Sequence, residues 1–208
     1  MSYAVKEIFL TLQGEGMQAG RRALFIRFAG CNLWTGREQD RAAAQCRFCD
    51  TDFVGTDGTD GGRYAVGALV DRANALWGDA ADPFVVLTGG EPLLQVDPPL
   101  LAALKASGFE IAVESNGTIA APAGIDWLCI SPKAGAPVVQ RSGQEVKIVW
   151  PQSGLDMTAI ADWDFAYRLV QPMDNEDRAQ NEAAAIAFVL AHPAWRLSLQ
   201  AHKALGLR

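Results

Sequence analysis

The feature that most constrains this chain is a set of three cysteines near its start. Cys31, Cys46 and Cys49 form a C-x14-C-x2-C pattern directly after an apolar run. A structural zinc ion takes four protein ligands, so three cysteines alone do not close such a site. Three thiolates can instead hold an iron–sulfur cluster and leave one iron open to an outside ligand. The pattern therefore favours a catalytic cluster over a structural metal site.

Short apolar runs alternate with amphipathic stretches along the chain, which is typical of an α/β protein built on a mainly parallel sheet. Apolar residues recur at three- and four-residue steps in the segments predicted to be helical. The predicted strands are 24–29, 84–87, 109–113, 127–130, 146–150, 167–170 and 197–199, and the predicted helices are 66–77, 100–107 and 181–191.

The polar motifs of the chain follow the ends of its predicted strands. They are Cys31 and the segments 88–90, 114–116, 131–133 and 171–172. Ligands bind at the C-terminal edge of parallel strands, so these five segments are expected to face one crevice. The 208 residues are of single-domain size and too few for a complete eight-unit barrel. We expect a shortened, partly open barrel in one domain, 1–208.

Composition excludes several classes of function. The formal net charge is −6, without a run of Lys or Arg, which argues against a nucleic-acid-binding surface. The N-terminal residues do not form a secretory signal, and no apolar stretch approaches the ~20 residues that span a membrane. Thiols that bind iron must stay reduced, so the sequence predicts a cytoplasmic enzyme acting on a small molecule.

Two segments together resemble the radical S-adenosylmethionine (SAM) superfamily: the cysteine motif and the GGEP segment 89–92. Further segments resemble one family within it, 7-carboxy-7-deazaguanine synthase, and cover nearly the whole chain. They are LQGEG at 12–16, FIRFAGCNL at 25–33, ESNGT at 114–118, SPK at 131–133, QPMD at 171–174 and QAHK at 200–203. The superfamily's usual spacing is C-x3-C-x2-C, but this family includes members with an expanded loop.

The resemblance implies a radical SAM lyase of queuosine biosynthesis with a shortened, partly open barrel. Its reaction converts 6-carboxy-5,6,7,8-tetrahydropterin to 7-carboxy-7-deazaguanine with loss of ammonia. A deoxyadenosyl radical would take hydrogen from C6 of the pterin and later recover it, so that SAM is regenerated. The chemistry is assigned to the cluster and SAM, not to a side chain. The resemblance further implies a homodimer and an external electron donor such as flavodoxin.

The resemblance also assigns the cofactor residues. Cys31, Cys46 and Cys49 would hold a 4Fe-4S cluster, whereas Cys129, inside an apolar run, is expected in the core. Thr51 offers a hard oxygen ligand for Mg²⁺. Gly89 and Gly90 would let main-chain groups approach SAM closely because they lack Cβ. The residues assigned to SAM are Phe48, Cys49, Asp50, Gly89, Gly90, Glu91, Ser115, Ser131, Pro132, Lys133, Gln171, Pro172, Met173 and Asp174.

A further set is assigned to the pterin. Glu15 would accept hydrogen bonds from its amide and amine groups, and Arg27 would pair with its carboxylate. Arg27 lies on an apolar strand, where an unpaired charge is costly, so a buried partner is expected. The substrate residues are Leu12, Gln13, Gly14, Glu15, Arg27, Thr88, His202 and Arg208.

Alternatives stay open at the level of sequence. Arg27 could serve an internal salt bridge, and Thr51 could cap a helix. The polar strand-end residues could cap their own strands. As whole-chain alternatives, we considered an activase of glycyl-radical enzymes, which would need the shorter cysteine spacing, and a zinc-bound interaction module without enzymatic activity.

Overall fold

Within residues 2–207, which the computed structural model describes, nine strands form one sheet flanked by helices. The strands are β1 (Tyr3–Leu12), β2 (Arg22–Phe28), β3 (Gly62–Tyr64), β4 (Phe84–Gly89), β5 (Glu110–Ser115), β6 (Trp127–Ile130), β7 (Ser142–Trp150), β8 (Asp164–Pro172) and β9 (Arg196–Leu197). The helices are α1 (Val66–Trp77), α2 (Pro98–Ala106), α3 (Met157–Ala161), α4 (Arg178–Ala191) and α5 (Ala201–Leu205).

The sheet is mainly parallel and open. Its strand order is β3-β1-β2-β4-β5-β6-β7-β8-β9, so β3 and β9 are its two edges. All pairs from β2 to β9 are parallel, whereas β1 is antiparallel to both β2 and β3. The prediction of a shortened, partly open α/β barrel is confirmed. The parallel order gathers the ends of β2, β4, β5, β6, β7 and β8 along one edge.

The core forms where the sequence pattern placed it. On β4, the run from Phe84 to Leu87 is fully buried, as expected for a parallel strand covered on both faces. Helix α1 has the predicted bounds and buries Leu69, Ala73 and Trp77 at helical spacing. Helix α2 begins two residues before the prediction because Asp97 accepts a hydrogen bond from Leu100 N (3.0 Å) and caps it. No helix among the described residues is long and apolar enough to cross a membrane.

The sequence pattern missed several elements. Strand β1 was not predicted because Lys6 and Glu7 interrupt its apolar pattern. Both side chains form ion pairs with distant residues, and the sequence does not reveal these partners. Strand β9 is also offset from the predicted 197–199, and the short helices α3 and α5 were not predicted. Strands β7 and β8 extend beyond their apolar runs because their pairing begins at Ser142 and Asp164.

Candidate active site

The three cysteines lie in the loop that follows β2. This loop has its own small apolar cluster of Trp34, Ala44 and Phe53, against which Cys31 and Cys49 pack. The rings of Trp34 and Phe53 meet edge to face at 5.7 Å. All three thiols line one cavity of about 210 Å³. A folded loop therefore brings Cys31 to Cys46 and Cys49 across the fourteen intervening residues.

The three thiols are the candidate metal ligands of the first cavity. A hydrogen bond with Cys46 lowers the pKa of the Cys49 thiol to about 6, and the same bond raises the pKa of Cys46. Burial raises the pKa of Cys31. No three His, Cys, Asp or Glu side chains within residues 2–207 converge as ligands of one metal ion. A cluster distributes its thiolates over separate irons, so it does not require that convergence.

Most of the predicted SAM residues line the same cavity. Pro132 and Glu91 do not. The twelve predicted SAM residues that line this cavity are Phe48, Cys49, Asp50, Gly89, Gly90, Ser115, Ser131, Lys133, Gln171, Pro172, Met173 and Asp174.

Glu91 is fully buried and joins the ends of β4 and β5. Its carboxylate accepts hydrogen bonds from Ser115 Oγ (2.9 Å), Asn116 N (2.8 Å) and Leu93 N (2.9 Å). Burial raises the pKa of this carboxyl, which these bonds oppose. Glu91 and Ser115 thus hold the site's framework, and a direct SAM contact by either stays a prediction.

The two glycines of the GGEP segment are required by the protein itself. A Cβ on Gly89 would come closer than 3.0 Å to Phe28 O, and one on Gly90 closer than 3.0 Å to Gly30 O. Close approach of a ligand was the role predicted for both glycines. The structure shows that they also let the end of β4 lie directly against the start of the cysteine loop, where Glu91 N donates to Gly30 O (3.0 Å).

Polar side chains connect the cysteine loop to the neighbouring strand ends. Asn116 donates to Asn32, which directly follows the first cysteine, at 2.9 Å. Asn32 donates in turn to Thr118 Oγ1 at 2.7 Å. On the next strand, Lys133 Nζ donates to the main-chain oxygen (2.6 Å) and hydroxyl (2.8 Å) of Ser131. Burial lowers the pKa of Lys133. The strand-cap alternative therefore holds in part for these residues.

A second cavity of about 350 Å³ adjoins the first. It brings together every predicted substrate residue except Arg208, which lies outside the described residues. They are Leu12, Gln13, Gly14, Glu15, Arg27, Thr88 and His202. The two cavities share a wall formed by Glu15, Asp50, Thr51, Thr88, Glu114 and Gln200. The residues predicted for SAM, metal and substrate thus meet along one boundary.

Arg27 pairs with a carboxylate of the protein itself. Its Nε donates to Glu7 Oε1 at 2.9 Å, and the side chains are 20% and 13% exposed. The internal salt bridge considered as the alternative therefore exists. Because Arg27 also lines the second cavity, the ion pair and a ligand-binding role are compatible.

A buried charge network under the shared wall was missed by the sequence reasoning. Lys147 Nζ, with its side chain 4% exposed, donates to Glu15 Oε2 (2.8 Å) and Glu114 Oε2 (3.0 Å). Burial alone would raise the pKa of Glu15, but the Lys147 charge lowers it to about 2. Burial raises the pKa of Glu114. The visible signal was a lysine within the apolar run of β7.

Residues after β9 close the site from the other side. Gln200 Nε2 donates to Glu15 Oε1 at 3.0 Å, and Ala201 N donates to Gly14 O at 2.9 Å. A Cβ on Gly14 would come closer than 3.0 Å to the His202 ring, so glycine is needed there for contact with the tail. The tail therefore packs directly on the predicted substrate segment.

Lys203 anchors the same tail to the first cavity. Its Nζ donates to Asp50 Oδ2 and Asp174 Oδ2, both at 2.6 Å. These two carboxylates belong to segments predicted to bind SAM.

Known proteins resemble this chain over its whole length. No family model matches it. It is 61% identical to 7-carboxy-7-deazaguanine synthase of Caulobacter vibrioides and 60% identical to that of Bradyrhizobium diazoefficiens, each with full coverage of both chains. The crystal structure of QueE from Escherichia coli matches with a TM-score of 0.73 and 26% identity, over 97% of this chain and 95% of that one. With its cysteine loop, open parallel sheet and adjoining cavities, the chain belongs to the 7-carboxy-7-deazaguanine synthase family of radical SAM enzymes.

Proposed function

We propose that this protein converts 6-carboxy-5,6,7,8-tetrahydropterin to 7-carboxy-7-deazaguanine with loss of ammonia. The observation that carries the proposal is the wall shared by the cysteine-lined cavity and the Arg27 cavity. A bound cluster and SAM supply a hydrogen-abstracting radical. The protein's own residues then have to hold the substrate against the wall and exclude water.

Glu15 is the proposed acceptor for the pterin's amide and amine groups. Lys147 and Gln200 fix its carboxylate and leave its side chain 21% exposed at the cavity. With its pKa lowered to about 2, Glu15 is ionised at neutral pH and can only accept hydrogen bonds. Leu12, Gln13 and Gly14 line the same cavity, and their main-chain groups are proposed as further polar contacts to the pterin. This edge of the site therefore selects a ligand that presents several N–H donors.

Arg27 is the proposed partner of the pterin's carboxylate. The Glu7 contact uses Nε, on one side of the guanidinium. The edge formed by Nη1 and Nη2 is the part that would pair with a substrate carboxylate in two parallel hydrogen bonds. Thr88 and His202 line the cavity beside it, and Arg208 stays a predicted contact.

Thr51 is the proposed Mg²⁺ ligand. It lies on the wall between the cavities, where its hydroxyl can face both the SAM and the substrate residues. The helix-cap alternative fails because the next helix after Thr51 begins only at Val66. Mg²⁺ keeps several waters and binds through few protein oxygens, so one hydroxyl plus substrate oxygens is an adequate ligand set.

The cellular setting completes the proposal. Thiols that must stay reduced support a cytoplasmic location, and the net charge of −6 supports a small-molecule substrate over nucleic acid. An external electron donor such as flavodoxin and a homodimer are proposed from the family resemblance, and a single domain over 1–208 is proposed from the chain length. Sedimentation of the full chain tests the dimer.

The reaction is tested by anaerobic incubation of the reconstituted protein with SAM, a reductant, Mg²⁺ and the carboxy-tetrahydropterin. The expected products are 7-carboxy-7-deazaguanine and ammonia, with SAM regenerated. Absence of both products from a protein with a full cluster would refute the proposal.

Arg27→Met then tests the recognition of the substrate. Losing a charge-assisted contact should weaken substrate binding roughly ten- to a hundred-fold, with cluster content and SAM binding unchanged. Arg72→Met is the matched control, because it removes an ion pair (to Asp60, 2.6 Å) outside both cavities. Undiminished binding in a folded Arg27→Met protein would leave Arg27 only its salt bridge with Glu7.

A further inference from the structure

Arg41, in the fourteen-residue segment between the first two cysteines, contacts several separate parts of the cysteine loop. Its Nε donates to both oxygens of Glu38, at 2.7 and 2.8 Å. Its Nη1 donates to two main-chain oxygens, those of Arg47 (2.7 Å) and Cys49 (3.0 Å). Its Cζ lies 4.1 Å from the ring centroid of Trp34, within the range of a cation–π contact.

These contacts join the two parts of the loop that carry the cysteines. The carbonyls of Arg47 and Cys49 flank Phe48, so fixing them fixes the turn from which Cys49 projects. Trp34 belongs to the other part of the loop, and Cys31 packs against its apolar cluster. Arg41 is therefore a crosslink between the Cys31 segment and the Cys49 segment.

The geometry of the contact needs an arginine. One guanidinium plane serves a carboxylate, two carbonyls and an aromatic face together, whereas an ammonium is a compact charge without a planar fork. This guanidinium comes from the short 3-10 helix Glu38–Ala43. A loop with only three residues between the first two cysteines is too short to contain a residue equivalent to Arg41.

We propose that Arg41 is a positioning residue for the iron–sulfur cluster, holding the main chain from Arg47 to Cys49 in the conformation that the cluster requires. The proposal rests on the cysteine ligands of the proposed function but not on its substrate contacts. A wrong substrate assignment would leave it standing, and a failure here would leave the substrate assignment intact.

The test compares Arg41→Met and Arg41→Lys with the wild type after anaerobic reconstitution. The measurements are the rate of iron loss to a chelator and the midpoint potential of the cluster. Arg41→Met should lose iron roughly ten-fold faster or more, the effect of losing a charge-assisted hydrogen bond. Arg41→Lys keeps the charge but not the fork, so it should recover only part of the difference, and both variants should show a shifted potential.

Arg37→Met is the matched control. Arg37 is in the same segment, and its side chain makes no hydrogen bond or ion pair within the described part of the chain, so this variant removes an equal charge without the crosslink. Wild-type iron loss and potential are expected for it. Wild-type values in folded Arg41→Met or Arg41→Lys would overturn the proposal, as would an equal effect in Arg37→Met. Circular dichroism of the apoprotein shows whether each variant folds. If Arg41→Met does not fold, the result for Arg41→Lys tests the proposal.

Discussion

Replacing Lys147 by methionine tests the buried charge network under the two cavities. The change keeps the length and apolar stem of the side chain and removes only its charge. Lys147 is 4% exposed and is the shared ion-pair partner of Glu15 (2.8 Å) and Glu114 (3.0 Å). Removing one partner of a buried ion pair typically costs about 3–5 kcal/mol, because a buried charge is left uncompensated. We expect a loss of stability of that order at pH 8.

The pH dependence gives the prediction a sign. In the wild type the pKa of Glu15 is lowered to about 2. The contribution of Glu15 to the free energy of unfolding is therefore fully present above its pKa in the unfolded chain, near 4.5, and is lost only as pH falls towards 2. Burial would instead raise the pKa of the same carboxyl once Lys147 is gone, and Glu114 already has a raised pKa. The folded variant then binds protons more tightly than the unfolded chain, so its stability rises as pH falls. The difference from wild type should shrink between pH 8 and pH 5.

Urea denaturation of the reduced apoprotein at pH 5 and pH 8 measures both quantities. Lys105→Met is the control, since Lys105 forms an exposed ion pair with Asp126 that should contribute only about 0–1 kcal/mol. Equal losses for Lys147→Met and Lys105→Met would refute the reasoning. So would a loss in Lys147→Met that is the same at both pH values, because that result would mean that no proton replaces the missing charge.

Three further predictions concern single residues of the site. Thr51→Ala should weaken the Mg²⁺ dependence of turnover with little effect on SAM binding; an unchanged Mg²⁺ response with poorer SAM affinity would reassign the hydroxyl. Cys129→Ala should retain the visible absorption of the cluster, because its fully buried thiol is separate from the cavity thiols, while Cys46→Ala should lose it. Gly14→Ala should displace His202 and raise the KM for the substrate with unchanged cluster content. A wild-type KM would show that displacing His202 does not affect substrate binding.

The sequence by itself determined the local chemistry of this protein. The cysteine pattern and the motifs at the ends of predicted strands located the first cavity, because parallel strands bring their C-terminal ends to one edge whatever lies between them. Most residues of the second cavity were assigned from the family resemblance. The bounds of α1 and the buried run of β4 followed from periodicity and apolar content. The burial of Arg27 predicted an anionic partner, which the sequence reasoning assigned to the substrate; the protein carboxylate that pairs with it was only the alternative.

Only the tertiary structure decided which charges meet. Glu7, Lys147 and Glu114 have roles that depend on partners 20 to 132 residues away along the chain, and no local pattern encodes such a pairing. The tail shows the same limit, since Gln200 reaches Glu15 across 185 residues. Hydrophobic periodicity indicates whether a position is buried, but it does not indicate which polar group lies next to that position. The geometry of the wall between the two cavities was therefore fixed by folding, through the ion pairs and hydrogen bonds that satisfy each buried charge.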